Sequence, residues 1–335
     1  MTSQTTPISA PDDWQAQLRD CFTSARALLD FVNLSNQALG SSDLAAKDFA
    51  VKVPRSFARR MRPGDPTDPL LRQVLAHRNE LLEVPGFSND PVGETGARNK
   101  QPGIIQKYQG RVLLIVASGC AINCRYCFRR HFPYAENRNS RSQWQQALKA
   151  IGKDSSITEV ILSGGDPLVP TDSLLSELVD QIAGIPHVKR LRIHTRFPVV
   201  IPARITDSLI DALTRPSLQT VMVIHANHAN EIDHNVSAAM ARLHDGEITL
   251  LNQTVLLAGV NDNPDTLVDL SEQLFSTGVL PYYLHLLDPV RGAAHFDVPE
   301  EAAAELMEQV TARLPGYLVP KLVREIAGEP AKVGV

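Results

Sequence analysis

Three of the four cysteines in this 335-residue chain lie in one short segment, as Cys120, Cys124 and Cys127. A thiolate is the usual protein ligand of iron in a [4Fe–4S] cluster, and each of the four irons needs a ligand. Three cysteines therefore leave one iron open to a small molecule. The C-x3-C-x2-C spacing predicts a cluster that does chemistry at its open iron, with these three residues as metal ligands.

Two other uses of the thiols stay open on the residues alone. A structural zinc site usually combines two C-x2-C pairs, or adds histidines at ligand spacing, and His131 is the histidine near enough to serve. Disulfides are the weaker interpretation, because the three close thiols are an odd set and no secretory signal precedes them. Cys21 lies far upstream in a segment with helix-like spacing, so we expect a plain buried thiol there.

A second polar segment, Ser163-Gly164-Gly165-Asp166-Pro, follows the second predicted strand. Its two glycines allow the backbone to approach a ligand closely, and the Asp166 carboxylate is able to accept hydrogen bonds from an ammonium group. His225 and His228 raise the alternative of a second metal site. No third ligand lies at close spacing, so we favour pocket lining for both histidines.

Composition restricts the partners of the protein. A hydrophobic fraction of 43% is enough for a sizeable core, and the net charge of −4 argues against binding nucleic acid across the whole surface. The apolar runs are too short to cross a bilayer, and residues 1–12 are expected to form a disordered tail. Reduced thiols and an oxygen-sensitive cluster suit a reducing compartment, so we expect a cytoplasmic protein that binds neither nucleic acid nor membrane.

The elements that must position these residues begin after a mostly helical start. Helix-like apolar spacing covers residues 14–33 and 70–82, with Asp68-Pro69 as a helix start. Strands are then predicted at residues 112–117, 159–162, 190–194, 220–224, 248–257 and 281–287. Helices alternate with them at residues 141–151, 172–183, 206–213, 231–243, 264–275 and 299–314.

This alternation predicts βαβ units and a parallel sheet, as an open doubly wound sheet or a barrel. No G-x-G-x-x-G follows the first strand, which disfavours a dinucleotide fold. We predict an α/β protein with a partial (βα)6 TIM-like barrel, whose active site lies at the carboxyl ends of the strands. The predicted parts are a helical region at 1–103, the barrel at 104–298 and a C-terminal helix with a short functional segment at 299–335.

The motifs resemble those of the radical S-adenosylmethionine (SAM) enzymes, and among these the lysine 2,3-aminomutase family. The resemblance is carried by residues 120–130, 163–167, 194–205, 227–231, 252–262 and 283–296. Residues 53–57, 68–75, 127–137 and 316–322 most resemble the short bacterial branch that serves elongation factor P.

The resemblance implies an isomerase that moves the amino group of free L-lysine from C2 to C3. Its cofactors would be a [4Fe–4S] cluster, SAM bound to the open iron, and pyridoxal 5′-phosphate (PLP). An external electron donor would reduce the cluster, and (R)-β-lysine would pass to a ligase that modifies elongation factor P. The oligomeric state stays open, a homo-oligomer included.

The resemblance also implies individual roles. Lys332 would carry PLP as an imine, while Lys107 and Arg111 would bind its phosphate. Ser163, Gly164, Gly165 and Asp166 would hold SAM. Arg129 would pair with the substrate carboxylate, because its planar fork suits that group better than an ammonium does, and the plainer alternative for Arg129 and Arg130 is a solvated basic pair. Asp288 and Glu325 would pair with the substrate ε-ammonium.

Three other functions remain as alternatives. One is a catabolic lysine 2,3-aminomutase. Another is a SAM-cleaving enzyme without PLP. The third is a non-enzymatic iron–sulfur or zinc module, against which the polar strand ends argue, since an electron carrier needs no pocket.

Overall fold

A computed structural model of the chain describes residues 13–35, 40–95, 103–134, 141–215 and 217–335. The tail expected at residues 1–12 lies outside these ranges, as does the end of the resemblance segment 127–137. None of the helices in the described ranges is both long enough and apolar enough to cross a membrane.

The first part of the chain consists of short helices and two short strands. They are α1 (Trp14–Arg19), β1 (Cys21–Phe22), α2 (Ala25–Phe31), α3 (Asp43–Asp48), β2 (Val53–Pro54), α4 (Arg55–Ala58) and α5 (Pro69–Arg72), followed by a 3-10 turn at Arg78–Leu81. Asp68 caps α5 by accepting from the backbone N–H groups of Leu70 and Leu71, so the predicted helix start is confirmed.

Both long helix-like segments of this region are shorter in the structure than their spacing predicts. Segment 14–33 breaks at Asp20, because Cys21 and Phe22 leave the helix to pair antiparallel with β2. Cys21 is therefore a strand residue. Segment 70–82 breaks after α5, and Glu80 instead forms a capping box with His77. Tertiary partners outweigh helix propensity at both places.

A nine-stranded sheet forms the centre of the molecule. After β3 (Ile104–Ile105), strands and helices alternate as β4 (Arg111–Ala117), α6 (Arg141–Lys153), β5 (Glu159–Gly164), α7 (Asp172–Ala183), β6 (Arg190–Thr195), α8 (Phe197–Val200), α9 (Asp207–Thr214), β7 (Gln219–Ile224), α10 (His234–Asp245), β8 (Thr249–Val255), α11 (Pro264–Ser276), β9 (Leu280–His285), α12 (Glu300–Thr311), β10 (Lys321–Arg324) and β11 (Val333–Gly334).

The strand order settles the choice between the two predicted architectures. Neighbours in the sheet follow chain order from β3 to β11, and β4 to β10 pair in parallel. A doubly wound sheet would reverse its order at a switch point, whereas consecutive right-handed crossovers keep all helices on one side. The sheet is open, with antiparallel β3 and β11 at its edges, so the predicted partial barrel of six βα units is confirmed.

The sheet continues into the predicted C-terminal part. Strand β10 adds a seventh parallel strand beside β9, and β11 turns back on β10, with Val333 opposite Arg324. No pattern had predicted either strand, because both are short. The division into three parts stays a prediction.

Residues alternate between the two faces of each strand, as a period of two requires. On β6, Leu191 and Ile193 are fully buried in the core under the helices, whereas Arg192 and His194 line the inner cavity. The same core includes Leu28 and Phe57 from the first part, and Trp14 meets the Phe197 ring edge-on at 5.8 Å. The N-terminal part therefore packs against the barrel as one body.

Candidate active site

One cavity of about 340 Å³ runs along the inside of the barrel. It extends from the carboxyl ends of the strands, where the cysteines lie, to the amino end of β4 at Arg111. Every residue singled out for a cofactor or the substrate lines it. These residues are Lys107, Arg111, Cys120, Cys124, Cys127, Arg129, Ser163, Gly164, Gly165, Asp166, Asp288, Glu325 and Lys332.

The loop that carries the cysteines follows β4 and is fastened by the N-terminal part. The Lys52 ammonium donates to the Cys120 carbonyl at 2.8 Å, and the Arg125 backbone N–H donates to the Gln73 carbonyl at 2.9 Å. The Asn123 amide donates to the Ala50 carbonyl at 2.9 Å. These bonds position the loop at the end of the barrel.

Buried arginines reinforce this attachment. The Arg125 side chain is fully buried and pairs with Glu80, which also receives Arg130 at 2.9 Å. Arg129 and Arg130 are 7% and 9% exposed, so a solvated basic pair is excluded. The N-terminal part thus supplies counter-charges for the arginines of the cysteine loop.

The three thiols form an electrostatically unusual group. Burial and the neighbouring sulfurs raise the pKa of Cys120 well above its usual value, and burial together with Cys124 raises that of Cys127 to about 11. The Arg196 guanidinium donates to the Cys124 sulfur at 2.7 Å. Ionising these buried thiols is unfavourable in the free protein. A bound metal deprotonates its thiol ligands outright, so iron would offset the free energy that ionisation costs, and the donor set suits iron.

A cluster places different demands on its ligands than a single ion does. Within the ranges that the structure describes, no three His, Cys, Asp or Glu side chains converge to hold one metal ion. A four-iron cluster takes one thiolate per iron, so its cysteines surround a volume instead of meeting at a point.

The remaining candidate ligands have other partners. Cys21 is half-buried, donates to the Leu18 carbonyl at 3.2 Å and lies away from the cavity. His131 contacts the Arg291 carbonyl at 3.2 Å through Nε2. His225 contacts the Tyr126 hydroxyl at 3.0 Å, and His228 accepts from a backbone N–H in its own turn.

The two glycines at the carboxyl end of β5 lie where a larger side chain would clash with the backbone of the protein. A Cβ on Gly165 would lie 2.3 Å from the Gly119 carbonyl oxygen, and one on Gly164, where φ is +122°, would lie 2.5 Å from the Ala117 oxygen. The Gly165 N–H donates to the Ala117 carbonyl oxygen at 2.7 Å, and the Asp166 N–H donates to the Gly119 carbonyl oxygen at 2.8 Å. The segment therefore lies directly on the cysteine loop.

Asp166 is buried and already accepts three hydrogen bonds from the protein, which the sequence did not indicate. It is 4% exposed and accepts from the Thr195 hydroxyl at 2.7 Å and from the backbone N–H groups of Arg196 and Leu168 at 2.8 and 3.0 Å. Burial nevertheless raises the pKa of this carboxyl to about 6. Its carboxylate joins the ends of β5 and β6, and its role toward SAM stays a prediction.

A buried polar network lies beneath the cysteines, and its centre is Arg196. Besides Cys124, its guanidinium contacts the Tyr126 hydroxyl at 2.8 Å, the Gln73 amide oxygen at 2.7 Å and Glu231 at 2.8 Å. Gln73 and Arg196 were not identified from the sequence, because neither belongs to a motif with an evident mechanism. Gln73 lies in the N-terminal part, remote from the cysteines along the chain.

A chain of alternating charges follows the opposite wall of the cavity. Arg129 binds both oxygens of Glu94 at 2.6 and 2.9 Å, and Glu94 binds Lys107 at 2.9 Å. Lys107 contacts Glu325 at 3.3 Å, and Glu325 contacts Lys332 at 3.1 Å. The Tyr108 hydroxyl lies 2.7 and 2.8 Å from the two Glu325 oxygens.

The two carboxyl groups expected to bind the substrate ε-ammonium, Glu325 and Asp288, differ in the direction of their pKa shifts. Burial opposes ionisation of Glu325, but Lys332 and Lys107 outweigh it and lower its pKa. For Asp288 burial prevails over the attraction of Lys332, and the pKa is raised to about 7. Asp288 is the carboxyl group that an incoming cation would ionise.

The inner strands offer groups that suit an aromatic, phosphate-bearing cofactor. Lys332 Nζ lies 5.6 Å from the centre of the Tyr283 ring, and Lys107 and Arg111 add positive charge. Burial and nearby Arg192 lower the pKa of His194 well below its usual value, so the ring is neutral. Its buried Nε2 has no hydrogen-bond partner among the described residues, as expected of a group that meets a ligand.

Glu94 and Tyr108 are further cavity residues that sequence reasoning missed. Glu94 lies in an irregular segment without periodicity, so nothing local predicted that its side chain would be buried. Tyr108 precedes β4 and was passed over between the two basic residues Lys107 and Arg111.

Comparisons with known proteins show the family to which the chain belongs. A family model described as a 4Fe-4S single cluster domain matches residues 108–195. The L-lysine 2,3-aminomutase of Escherichia coli K12 is 51% identical over 96% of this chain and 94% of its own length. That of Haemophilus influenzae is 48% identical over 97% and 96%, and that of Clostridium subterminale is 30% identical over 97% and 78%.

Solved structures give a weaker likeness. A radical SAM methyltransferase from Sphaerobacter thermophilus superimposes with a TM-score of 0.45 at 19% identity, over 66% of this chain and 68% of its own. This score is too low to support a conclusion, whereas the near full-length identity to the curated relatives is decisive. The chain belongs to the L-lysine 2,3-aminomutase family.

Proposed function

We propose that this protein moves the amino group of L-lysine from C2 to C3 and releases β-lysine. One observation carries the proposal. A single cavity collects the three cluster cysteines, the glycine segment expected to hold SAM, the lysine expected to carry PLP and two carboxylates. An electron carrier or a structural metal module has no use for such a cavity.

The cofactors supply the demanding chemistry. When bound, the reduced cluster and SAM provide a carbon radical that removes an unactivated hydrogen, and PLP provides a π-system across which nitrogen can migrate. The barrel encloses these groups and limits the access of water.

The side chains of the protein bind and orient the substrate. Arg129 binds the lysine carboxylate, and Asp288 pairs with the ε-ammonium, which makes a carboxyl group with a pKa near 7 ionise. Lys332 carries PLP, and Lys107 and Arg111 bind its phosphate. Whenever the Lys332 amine is free, Glu325 Oε2 accepts a hydrogen bond from it, the contact being 3.1 Å.

The product is proposed to be (R)-β-lysine, which a separate ligase would attach to elongation factor P. The similarity of residues 53–57, 68–75 and 316–322 to the branch that serves this factor supports the assignment. A cytoplasmic location, with an external donor to reduce the cluster, suits an oxygen-sensitive cluster because that compartment is reducing.

Anaerobic reconstitution tests the proposal. Protein loaded with iron, sulfide and PLP should show cluster and PLP absorbance together and should convert L-lysine to β-lysine, identified by chiral chromatography and mass spectrometry. Lys332→Ala should lose the PLP–lysine bond and nearly all turnover while keeping the iron. Lys321→Ala, which removes an exposed lysine of β10, is the matched control.

The outcomes separate the alternatives. SAM cleavage without a PLP band would favour an enzyme that does not use PLP. Borohydride reduction that attaches PLP to a lysine other than Lys332 would refute the assignment of that residue.

A further inference from the structure

Glu94 is a buried carboxylate to which the proposed reaction assigns no role. It is 2% exposed, and its backbone is held in place because the Asp90 carboxylate accepts from the N–H groups of Glu94 and Thr95 at 2.8 and 3.0 Å. Gly93, with φ at +66°, provides the turn that directs the chain into the cavity. The position of Glu94 is thus set by its own segment.

The Glu94 carboxylate forms ion pairs with two cations, Arg129 and Lys107. The proposed function assigns Arg129 to the substrate carboxylate and Lys107 to the PLP phosphate. Arg129 grips it through Nε and Nη2 at 2.6 and 2.9 Å, and Lys107 Nζ binds it at 2.9 Å. Burial alone would raise its pKa, but Arg129 and Lys107 prevail and lower it to about 2. Glu94 therefore stays ionised in the folded protein.

The donors of Arg129 are nearly all engaged. Nη1 donates to the Ser163 hydroxyl at 2.9 Å and to the Gly164 carbonyl at 3.2 Å, and Glu94 takes Nε and one N–H of Nη2. A guanidinium has five N–H groups, so one on Nη2 remains for a further anion. By occupying Nε and one N–H of Nη2, Glu94 thereby determines which single N–H of Arg129 is left to face a substrate carboxylate.

We propose that Glu94 is a positioning residue that holds Arg129 and Lys107 as one unit, and so fixes the separation between the substrate carboxylate and the PLP phosphate. Without a negative charge between them, the two cations would repel each other, and both have long side chains able to move apart. This inference rests on the proposed function, because the roles of Arg129 and Lys107 do.

Glu94→Gln tests the inference, since it keeps the shape and removes the charge. We expect the Kd of PLP, from absorbance titration, and the KM for L-lysine each to rise by roughly tenfold or more. At saturating PLP, inhibition by cadaverine, which is lysine without its carboxylate, should stay within about twofold of its original strength. Glu272→Gln, at an exposed glutamate of α11, is the matched control and should change none of these quantities.

A purely structural role would give a different pattern. Iron content should hold in Glu94→Gln, and Glu94→Asp should recover part of the lost affinity. Unchanged PLP and lysine affinities, or an equal loss for lysine and cadaverine, would overturn the proposal. If the unmodified protein binds PLP but does not isomerise lysine, the proposed function fails, while the PLP titration still tests the link between Glu94 and Lys107.

Discussion

At the scale of single residues, the folded site gives different electrostatic environments to Glu325 and Asp288, two carboxyl groups for which the sequence predicted the same role. Glu325 is held by Lys107, Tyr108 and Lys332, so its charge is already compensated. Among the described residues, none donates a hydrogen bond to the Asp288 carboxylate, and burial holds its pKa near 7. Substrate recognition is therefore expected to depend on Asp288 more than on Glu325.

Asp288 should make substrate capture depend on pH. Below pH 7 the free carboxyl is mostly protonated and cannot pair with an ammonium, so kcat/KM for L-lysine should rise with pH and level off above about 7. Asp288→Asn should flatten this part of the profile. It should also lower kcat/KM by roughly a hundredfold or more at pH 8, because an unpaired buried charge costs about 3–5 kcal/mol.

Glu325→Ala should have the milder effect of the two on kcat/KM. Uncoupled SAM cleavage should be unaffected in both variants. If neither Asp288→Asn nor Glu325→Ala changes lysine turnover, the two carboxylates do not bind the substrate ε-ammonium.

The cysteines should differ sharply in their effect on iron. Alanine at Cys120, Cys124 or Cys127 should abolish iron loading and SAM cleavage, because each residue supplies the single protein ligand of one iron. Cys21→Ala removes a thiol from β1 outside the cavity and should leave both intact. Iron and sulfide analysis decides the matter, and an equal loss in Cys21→Ala would indicate a four-cysteine site without an open iron.

At the scale of elements, the approach of β5 to the cysteine loop determines the shape of the site. Gly164 and Gly165 end β5 against the backbone of residues 117–119, and Asp166 ties the same turn to β6. The glycines are thus a consequence of two backbones in contact, in addition to any role toward SAM.

Gly165→Ala should disturb the cluster although it removes no ligand. Its Cβ would meet the backbone of Gly119 at 2.3 Å, and backbone cannot move aside as a flexible side chain can. We expect a loss of about 1–3 kcal/mol in the free energy of unfolding, with reduced iron content. Gly152→Ala in α6, whose new Cβ meets nothing within 4 Å, is the control and should be neutral or stabilising. Full iron loading in Gly165→Ala would show that the loop tolerates displacement.

At the scale of the whole molecule, the N-terminal part and the barrel form one catalytic unit. Glu80, Gln73 and Glu94 come from the N-terminal part, and each pairs with an arginine near the cysteines. The irregular first part of the chain is therefore required to neutralise buried charge around the cluster.

Glu80→Ala should reveal this dependence. Within the described part of the chain, it leaves Arg125 buried without a carboxylate partner and leaves Arg130 only the more distant Asp48 at 3.4 Å, which should cost about 3–5 kcal/mol of unfolding free energy and lower iron loading. Glu83→Ala removes an exposed glutamate close by in sequence and should leave both unchanged. Denaturant unfolding and iron analysis are the measurements, and normal iron loading in Glu80→Ala would refute the coupling.

The barrel was predictable because its elements are long and periodic. The six predicted strands match β4 to β9 within a few residues, since alternation and apolar runs are local signals. The short strands β10 and β11 were not predictable, because they exist only through pairing with β9 and with each other. The helix expected over residues 14–33 failed for the same reason, as pairing with β2 interrupts it.

The cysteine spacing predicted three thiolate ligands, and the alternation of strands and helices predicted the order of the barrel, because both are local patterns and parallel strands present their carboxyl ends together. Resemblance to the family supplied most of the cavity residues that are named from the sequence. Their charge states and their partners follow from the tertiary structure. Glu94 reaches Arg129, and Gln73 reaches Arg196, across large separations in the chain. Such pairings depend on burial and distance in the folded molecule, which no local pattern encodes.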